Sequence, residues 1–177
     1  MSDLNIIIAG FGGQGILFTG KIIAHMGMID NREVTWFPSY GPEMRGGTAN
    51  CSVCISDSPI GSPQVTEPDV LIAMNTPSYD KFIDKVVSGG KVFIDSSIVK
   101  PGKTRSDVEF FAIPATQLSS EEHLDGIANM ILLGKVLKET SFAGIESAKK
   151  SIEESVSANK EHLIKHNIRA IEMGMSL

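Results

Sequence analysis

Cysteine is scarce: two thiols in 177 residues cannot build a disulfide framework and fall short of the four thiolates that an iron–sulfur cluster usually takes. Aromatic side chains make up only 6% of the chain, and there are four histidines. His25, His123, His162 and His166 all lie in helical patterns outside the glycine-rich loops, which favours surface positions over acid–base roles. His162 and His166 are one turn apart, but no third residue completes a metal site with them. No apolar run reaches the length of a membrane span, and the first residues lack a basic stretch followed by a long apolar one, which predicts a cytoplasmic protein without membrane contact. A net charge of −5 argues against nucleic acid as a partner. Also missing are a Gly-x-Ser-x-Gly elbow, a Walker lysine and a His-Glu-x-x-His helix. The Gly-Asp-Gly with a later Asn pair that helps hold magnesium beside thiamine diphosphate is missing too.

Glycine, by contrast, is frequent, with 17 residues concentrated in the first half. The apolar run Leu4 to Ala9 leads into Gly10-Phe11-Gly12-Gly13-Gln14-Gly15, and a helical pattern starts near Ile16. Glycine frees the backbone to turn sharply and to approach a ligand without an intervening Cβ. Read as strand, turn and helix, the segment aims unpaired N–H groups and the positive end of the helix dipole at one point, which suits a phosphate, a carboxylate or a partner's loop. Gly10, Gly12 and Gly15 fit the Gly-x-Gly-x-x-Gly spacing of a dinucleotide fingerprint. That fingerprint also needs an acid near the end of the second strand, roughly 20 residues on. Here the second strand, Val34 to Phe37, runs into Pro38 and Ser39, while Asp30 and Glu33 precede it. NAD is therefore discounted, and a phosphate site with another owner stays open. Glycines that merely let the first helix pack closely on the sheet would look the same on this stretch alone.

The other unusual stretch is Phe37-Pro38-Ser39-Tyr40-Gly41-Pro42-Glu43-Met44-Arg45-Gly46-Gly47-Thr48, where two prolines and three glycines exclude regular helix or strand. Open parallel sheets bind ligands outside the carboxyl ends of their strands, so this loop and the first glycine turn are expected to face one crevice. Arg45 offers a positive fork for a phosphate or carboxylate. Ser39 and Tyr40 offer hydroxyls, and Glu43 either orients Arg45 or meets a partner's base. The candidate site is Gly10, Gly12, Gly13, Gln14 and Gly15 together with Ser39, Tyr40, Gly41, Glu43, Arg45, Gly46 and Gly47. The plainer alternative is a stable surface loop in which Glu43 and Arg45 pair with each other.

Ala49 to Ser56 reads as a strand whose Cys51 and Cys54, three apart, point to opposite faces and cannot share an ion. Both read as packing residues, with redox chemistry open only if the segment is a loop. Ile60 to Val65 reads as a short extended piece, and Val70 to Met74, Lys91 to Asp95 and Val108 to Ile113 as further strands. Thr76 is the expected cap, and Pro77 the first turn, of a helix with Tyr79, Phe82, Ile83 and Val86 inward. Asn75 and Asp95-Ser96-Ser97, at carboxyl ends of strands, are secondary site candidates. Ser119 and Glu122 suggest a capping box ahead of Ile127 to Leu137, a helix apolar nearly all round and so buried in the domain or at a subunit contact. Asn129 on it reads as a helix-end or interface polar group. Two amphipathic helices follow, outlined by Ile145, Ala148, Ile152 and Val156 and by Ile164, Ile168 and Ile171, with Gly174 closing the last. Strands alternating with helices predict an α/β fold: one three-layer Rossmann-like domain over residues 1–177, with a mostly parallel central sheet and helices on both faces.

Four segments together resemble the gamma subunit of 2-oxoacid:ferredoxin oxidoreductases. They are Gly10 to Gly15, the loop Ser39 to Thr48, the turn Ile60-Gly61-Ser62-Pro63 and the helix segment Asn129-Met130-Ile131-Leu132-Leu133-Gly134. The likeness spans nearly the whole chain, and the coupled glycine and Tyr-Gly-Pro-Glu-Met-Arg-Gly-Gly motifs are far more specific than a lone glycine fingerprint. The resemblance implies a complex that oxidatively decarboxylates a 2-oxoacid with coenzyme A, giving acyl-CoA, carbon dioxide and reduced ferredoxin. It assigns thiamine diphosphate, magnesium and the Fe-S clusters to partners, namely thiamine-bearing alpha and beta subunits and a ferredoxin-like delta subunit or domain. No cofactor is expected in this chain, which would be inactive alone. Gly12 to Gly15 and Ser39 to Gly47 would help wall the substrate and coenzyme A crevice, with Arg45 near an anionic group. Pyruvate, 2-oxoglutarate and branched-chain 2-oxoacids are equally compatible. A free-standing nucleotide-dependent enzyme and a scaffold subunit without an atom in the site are the competing readings, and the apolar Ile127 to Leu137 helix leaves room for a homodimer when partners are absent.

Overall fold

Strand β1, Leu4–Phe11, is apolar on both sides because both sides are covered: Ile6 and Ile8 belong to one buried core, Ile7 and Ala9 to another. The computed structural model describes residues 3–39, 48–156 and 160–177. After β1 come α1 (Ile16–Ile29), β2 (Glu33–Ser39), β3 (Thr48–Ser56), β4 (Val70–Ala73) and α2 (Thr76–Phe82), which a 3₁₀ turn prolongs over Ile83–Lys85. The second half holds β5 (Lys91–Asp95), β6 (Glu109–Ile113), α3 (Ala115–Glu121), α4 (Ala128–Thr140), α5 (Ile145–Ser155) and α6 (Glu161–Ser176).

The six strands form one sheet in the order β2-β3-β1-β4-β5-β6. β1, β4, β5 and β6 are parallel neighbours, whereas β3 runs antiparallel to both β1 and β2. The expected mostly parallel α/β sheet is thus present with one reversed strand. The reversal has a simple cause. A parallel crossover takes a dozen or more residues, and only positions 40–47 separate β2 from β3, so β3 returns as a hairpin partner.

Helices cover both faces, unequally. The larger core joins Ile6, Ile8, Ile72 and Phe93 to α1, α4, α5 and α6, and the smaller joins Ile7, Leu71, Val92 and Ile94 to Tyr79, Phe82 and Ile83. Cys51 lies in the larger core, while the Cys54 Sγ reaches Ser62 O at 3.8 Å outside it, so the two thiols do take opposite faces. α4 is buried over most of its length, including Met130 to Gly134. It crosses α6 at backbone contact, since a Cβ on Gly134 would collide with Ile171 O and one on Gly174 with Ile131 O. Among the described residues no helix is long and apolar enough to cross a membrane.

Four local expectations are corrected. Residues 60–65 are irregular and add no strand. Asn75 caps α2 in place of Thr76: its Oδ1 accepts from Ser78 N at 2.7 Å, while Thr76 Oγ1 accepts from Lys100 N at 2.9 Å. Ser119 lies inside α3 and donates to Leu124 O, so it forms no capping box with Glu122, and α4 begins only at Ala128. Gly174 lies inside α6, where it serves the crossing with α4.

Candidate functional site

Between Phe11 and Ile16 the chain turns from strand into helix. Gly13 at φ +93° and Gly15 at φ +74° take the left-handed backbone that residues with a Cβ rarely adopt. Gln14 between them fixes the turn with both ends of its amide. Its Oε1 accepts from Phe11 N at 2.6 Å, and its Nε2 donates to Met74 O at 2.9 Å. Met74 N in turn donates to Ala9 O at 2.9 Å, so the turn is bonded to the end of β4. No side chain caps the first N–H groups of α1, which leaves its positive end for a ligand. A Cβ on Gly13 would meet nothing within 4 Å, so space lies open above the turn.

That space is a crevice of about 370 Å³ floored by Gly13, Gln14 and Met74 and walled by Thr116 and Ser119 of α3 and Asn129 of α4. It sits beyond the carboxyl ends of β1 and β4, whose following helices go to opposite faces of the sheet. This is a topological switch point, where open α/β sheets bind ligands. Asp95, the last residue of β5, is fully buried and pins the α3 wall. Its carboxylate accepts from Thr116 N at 3.1 Å, from Thr116 Oγ1 at 2.5 Å and from Ser97 N at 3.1 Å. Asn129 joins the opposite wall to the turn, its Nδ2 donating to Gly15 O at 3.3 Å and to Thr19 Oγ1 at 3.0 Å. Asp125 adds a carboxylate to the lining. The arrangement offers an anionic ligand the uncapped N–H donors at the start of α1, while the Thr116 and Ser119 hydroxyls, whose hydrogens go to Asp95 and Leu124 O, are left as acceptors.

Of the residues expected at the site, Gly13 and Gln14 line the crevice. Gln14 acts by shaping the turn, since both its polar atoms have partners in the chain. Gly10 lets the turn close over β1: a Cβ there would lie 2.6 Å from Gln14 Oε1 and 2.7 Å from Ile16 Cδ1. Gly12 is exposed at the turn, and Gly15 abuts Asn129. Ser39 ends β2 opposite Asn50, and Thr48 begins β3 opposite Phe11. The ends of the arginine loop therefore rise from the same edge of the sheet as the glycine turn. Tyr40, Gly41, Glu43, Arg45, Gly46 and Gly47 lie outside the described residues. Asn75 and Asp95, the secondary candidates, serve as a helix cap and a wall anchor. Thr116 and Ser119 are not among the residues the sequence points to for the site, and Asn129 reads from sequence as a helix-end or interface polar group. A polar residue in an otherwise apolar helix was the one sequence signal for it.

The geometry also bears on the dinucleotide reading. β3 separates β2 from β1, and Glu33 begins β2 at the end far from the turn. Asp30 Oδ1 accepts from Ser147 Oγ at 2.6 Å, so neither acid stands where a ribose would be held.

The sequence profile described as pyruvate ferredoxin/flavodoxin oxidoreductase matches residues 5–177. The chain is 40% identical over 159 residues to the 2-oxoglutarate synthase subunit KorC of Methanocaldococcus jannaschii, covering 88% of this chain and 85% of that one. It is 37% identical over 175 residues to the ketoisovalerate oxidoreductase subunit VorA of Methanothermobacter thermautotrophicus, covering 97% of this chain and spanning only 36% of VorA. Among solved structures, a keto/oxoacid ferredoxin oxidoreductase gamma subunit from Geobacter sulfurreducens superposes with a TM-score of 0.86 at 28% identity, covering 99% of this chain and 96% of that one. The 2-oxoglutarate:ferredoxin oxidoreductase of Magnetococcus marinus, solved with 2-oxoglutarate, coenzyme A and succinyl-CoA bound, superposes with a TM-score of 0.89 at 26% identity, covering 99% of this chain and 31% of that one. Sequence and fold agree from β1 to α6, and the chain belongs to the pyruvate ferredoxin/flavodoxin oxidoreductase family.

Proposed function

We propose that this chain is the gamma component of a cytoplasmic 2-oxoacid:ferredoxin oxidoreductase and that its crevice helps hold coenzyme A and the oxoacid during oxidative decarboxylation to acyl-CoA. The observation that carries the reading is the open, positive-φ glycine turn at the uncapped start of α1, placed at a switch point of the sheet in a chain of this family. Negative groups of coenzyme A suit the free N–H donors there, and the hydroxyl oxygens of Thr116 and Ser119 can accept from the amide N–H groups of its polar arm. Arg45 adds a guanidinium for an anionic group, while Gln14 and Asn129 hold the walls in place.

The remaining chemistry belongs to partners in this reading. Cys51 and Cys54 are buried on opposite faces of β3, an arrangement that does not fit a shared iron–sulfur cluster. The clusters go to a ferredoxin-like delta subunit or domain, and thiamine diphosphate with magnesium goes to alpha and beta subunits, where it supplies the carbanion-stabilising chemistry. Ferredoxin takes the electrons.

The test is reconstitution with co-expressed partner subunits, followed by coenzyme A-dependent reduction of ferredoxin with pyruvate, 2-oxoglutarate and branched-chain 2-oxoacids. Arg45→Ala should lower kcat/KM for coenzyme A or the oxoacid roughly tenfold or more, the scale of one charge-assisted hydrogen bond, with the isolated chain still folded. Unchanged kinetics at every substrate concentration would reject a role for Arg45 in the site, and loss of assembly alone would make the loop a scaffold contact. Tight stoichiometric binding of NAD(P) or flavin by the purified chain would instead favour a free-standing nucleotide enzyme.

A further inference from the structure

β2 and β6 are the two edges of the sheet, and they are finished differently. β2 contains Pro38, which cannot donate to a further strand and suits an edge that stays unpaired. β6 reads Glu-Phe-Phe-Ala-Ile, with no proline and no charge after Glu109. Among the described residues only β5 pairs with it. Two bonds on the β5 side fix which of its backbone groups are left over. Glu109 N donates to Gly90 O at 2.9 Å, and Ser96 N donates to Ile113 O at 2.8 Å. The odd positions therefore face β5, and by the twofold period of a strand the N–H and C=O of Phe110 and Ala112 point outward.

The side chains alternate between the two faces of the sheet. Phe110 goes to the α2 face, where its ring meets Tyr79 edge to face at 6.2 Å, and it is 39% exposed. Phe111 goes to the α4 face, stacked on Phe93 at 4.7 Å, with Lys135 Nζ 5.5 Å from its ring centroid. Glu109 and Ile113 share that face. A groove of about 310 Å³ runs along the strand, with Lys135 and Leu177 in its lining. α4 itself offers no comparable surface, because Met130 to Gly134 are buried.

We propose that β6 is a self-association edge, on which a second copy of this chain lays its own β6 antiparallel about a twofold axis at Phe111. This register overlaps the two strands end to end. Phe110 of each copy then faces Ala112 of the other, so every outward N–H and C=O of these residues is paired and a large side chain lies beside a small one. The two Phe111 residues meet at the closely spaced, non-hydrogen-bonded position between those pairs. Glu109 falls opposite Ile113 of the second copy and diagonal to its Phe111, toward the Lys135 ammonium beside that ring. Within one chain Glu109 pairs with Lys91 at 2.6 Å and Lys135 with Glu139 at 2.7 Å. The approach therefore lines up charges of alternating sign across the axis: Lys91, Glu109, then Lys135 and Glu139 of the second copy. Sliding the strands by two residues toward Pro114 would set Phe110 against a residue with no N–H to give. The inference stands apart from the oxidoreductase reading, which turnover of the complex decides.

The test follows the purified full chain by sedimentation equilibrium from roughly 5 to 500 µM, a span suited to the modest affinity of a small interface. Mass should rise with concentration from 19.0 kDa toward twice that value. Over the same range hydrogen exchange should slow at the Phe110 and Ala112 amides, while Phe111, which faces β5, should change little. Phe111→Cys should form a disulfide between copies under mild oxidation, because facing non-hydrogen-bonded residues lie within disulfide reach, and Ala112→Cys should not. Ala112→Pro removes only an outward N–H, so it should keep the circular dichroism of the native chain and abolish the dimer. Glu109→Lys should weaken the dimer about tenfold. If a variant does not fold, exchange on the unaltered chain still decides. A mass of 19.0 kDa throughout would overturn the proposal and leave the edge to an extended segment of a different protein. A dimer that leaves Phe110 and Ala112 unprotected, survives Ala112→Pro, or crosslinks through Ala112→Cys in place of Phe111→Cys would overturn it as well.

Discussion

The thiol of Cys51 lies against Gly20 with the Trp36 indole alongside, and burial pushes its pKa from 9.0 up to about 12. The folded chain therefore holds this proton where the unfolded chain releases it. Stability from Cys51 is complete below pH 9, and it is lost as pH rises through about 12, because the unfolded state ionises first. A neutral thiol is also a poor nucleophile. Iodoacetamide near pH 9 should leave Cys51 unlabelled in the native chain and label it in urea, as read by peptide mass; rapid native labelling would show the thiol to be accessible. At this scale the sequence was partly legible. Opposite faces for Cys51 and Cys54 follow from strand geometry alone, and the left-handed Gly13 and Gly15 follow from their place between strand and helix. The bond from Asn129 to Gly15 spans 114 positions, and no local pattern announces it.

Between elements, the tightest approach is the crossing of α4 and α6, where Gly134 and Gly174 each face a carbonyl of the other helix. Gly134→Ala should lower stability by about 1–3 kcal/mol, the usual cost of forcing extra volume into a packed contact. Urea denaturation followed by circular dichroism reads that loss, and an unchanged midpoint would mean that the helices lie further apart. The long helices and most strands were legible because their apolar periods are regular. Helix starts were less so. Asn75 and Thr76 are adjacent capping residues: Asn75 takes the extended backbone of a cap and accepts from Ser78 N, while the Thr76 hydroxyl accepts from Lys100 N. Ser119 and Glu122 fit a capping pattern, yet Asp95 bonds to Thr116 across 21 positions and fixes an earlier helix instead. That contact also builds a crevice wall, which is why α3 went unrecognised as part of the site.

Over the whole molecule, one sheet separates a large core from a small one, and both depend on the same strands. The single tryptophan, Trp36, is 37% exposed and packs where β2 meets α1. If the chain unfolds as one domain, Trp36 fluorescence and far-ultraviolet circular dichroism should give the same denaturation midpoint. A tryptophan transition at lower denaturant would split the β2–β3 edge from the rest. The α/β class was legible from the alternation of strands and helices, whereas the reversed strand lay in a loop length that was read only as an irregular connection. That reversal has a consequence for how such proteins diversify. Residues 40–47 are strung between Ser39 and Thr48, both held by strand pairing, and Thr48 sits one strand over from Phe11. The register of β2 on β3 and of β3 on β1 is thus set by strand pairing on either side of that span, so changes of sequence within it leave both anchor points specified by the strands themselves.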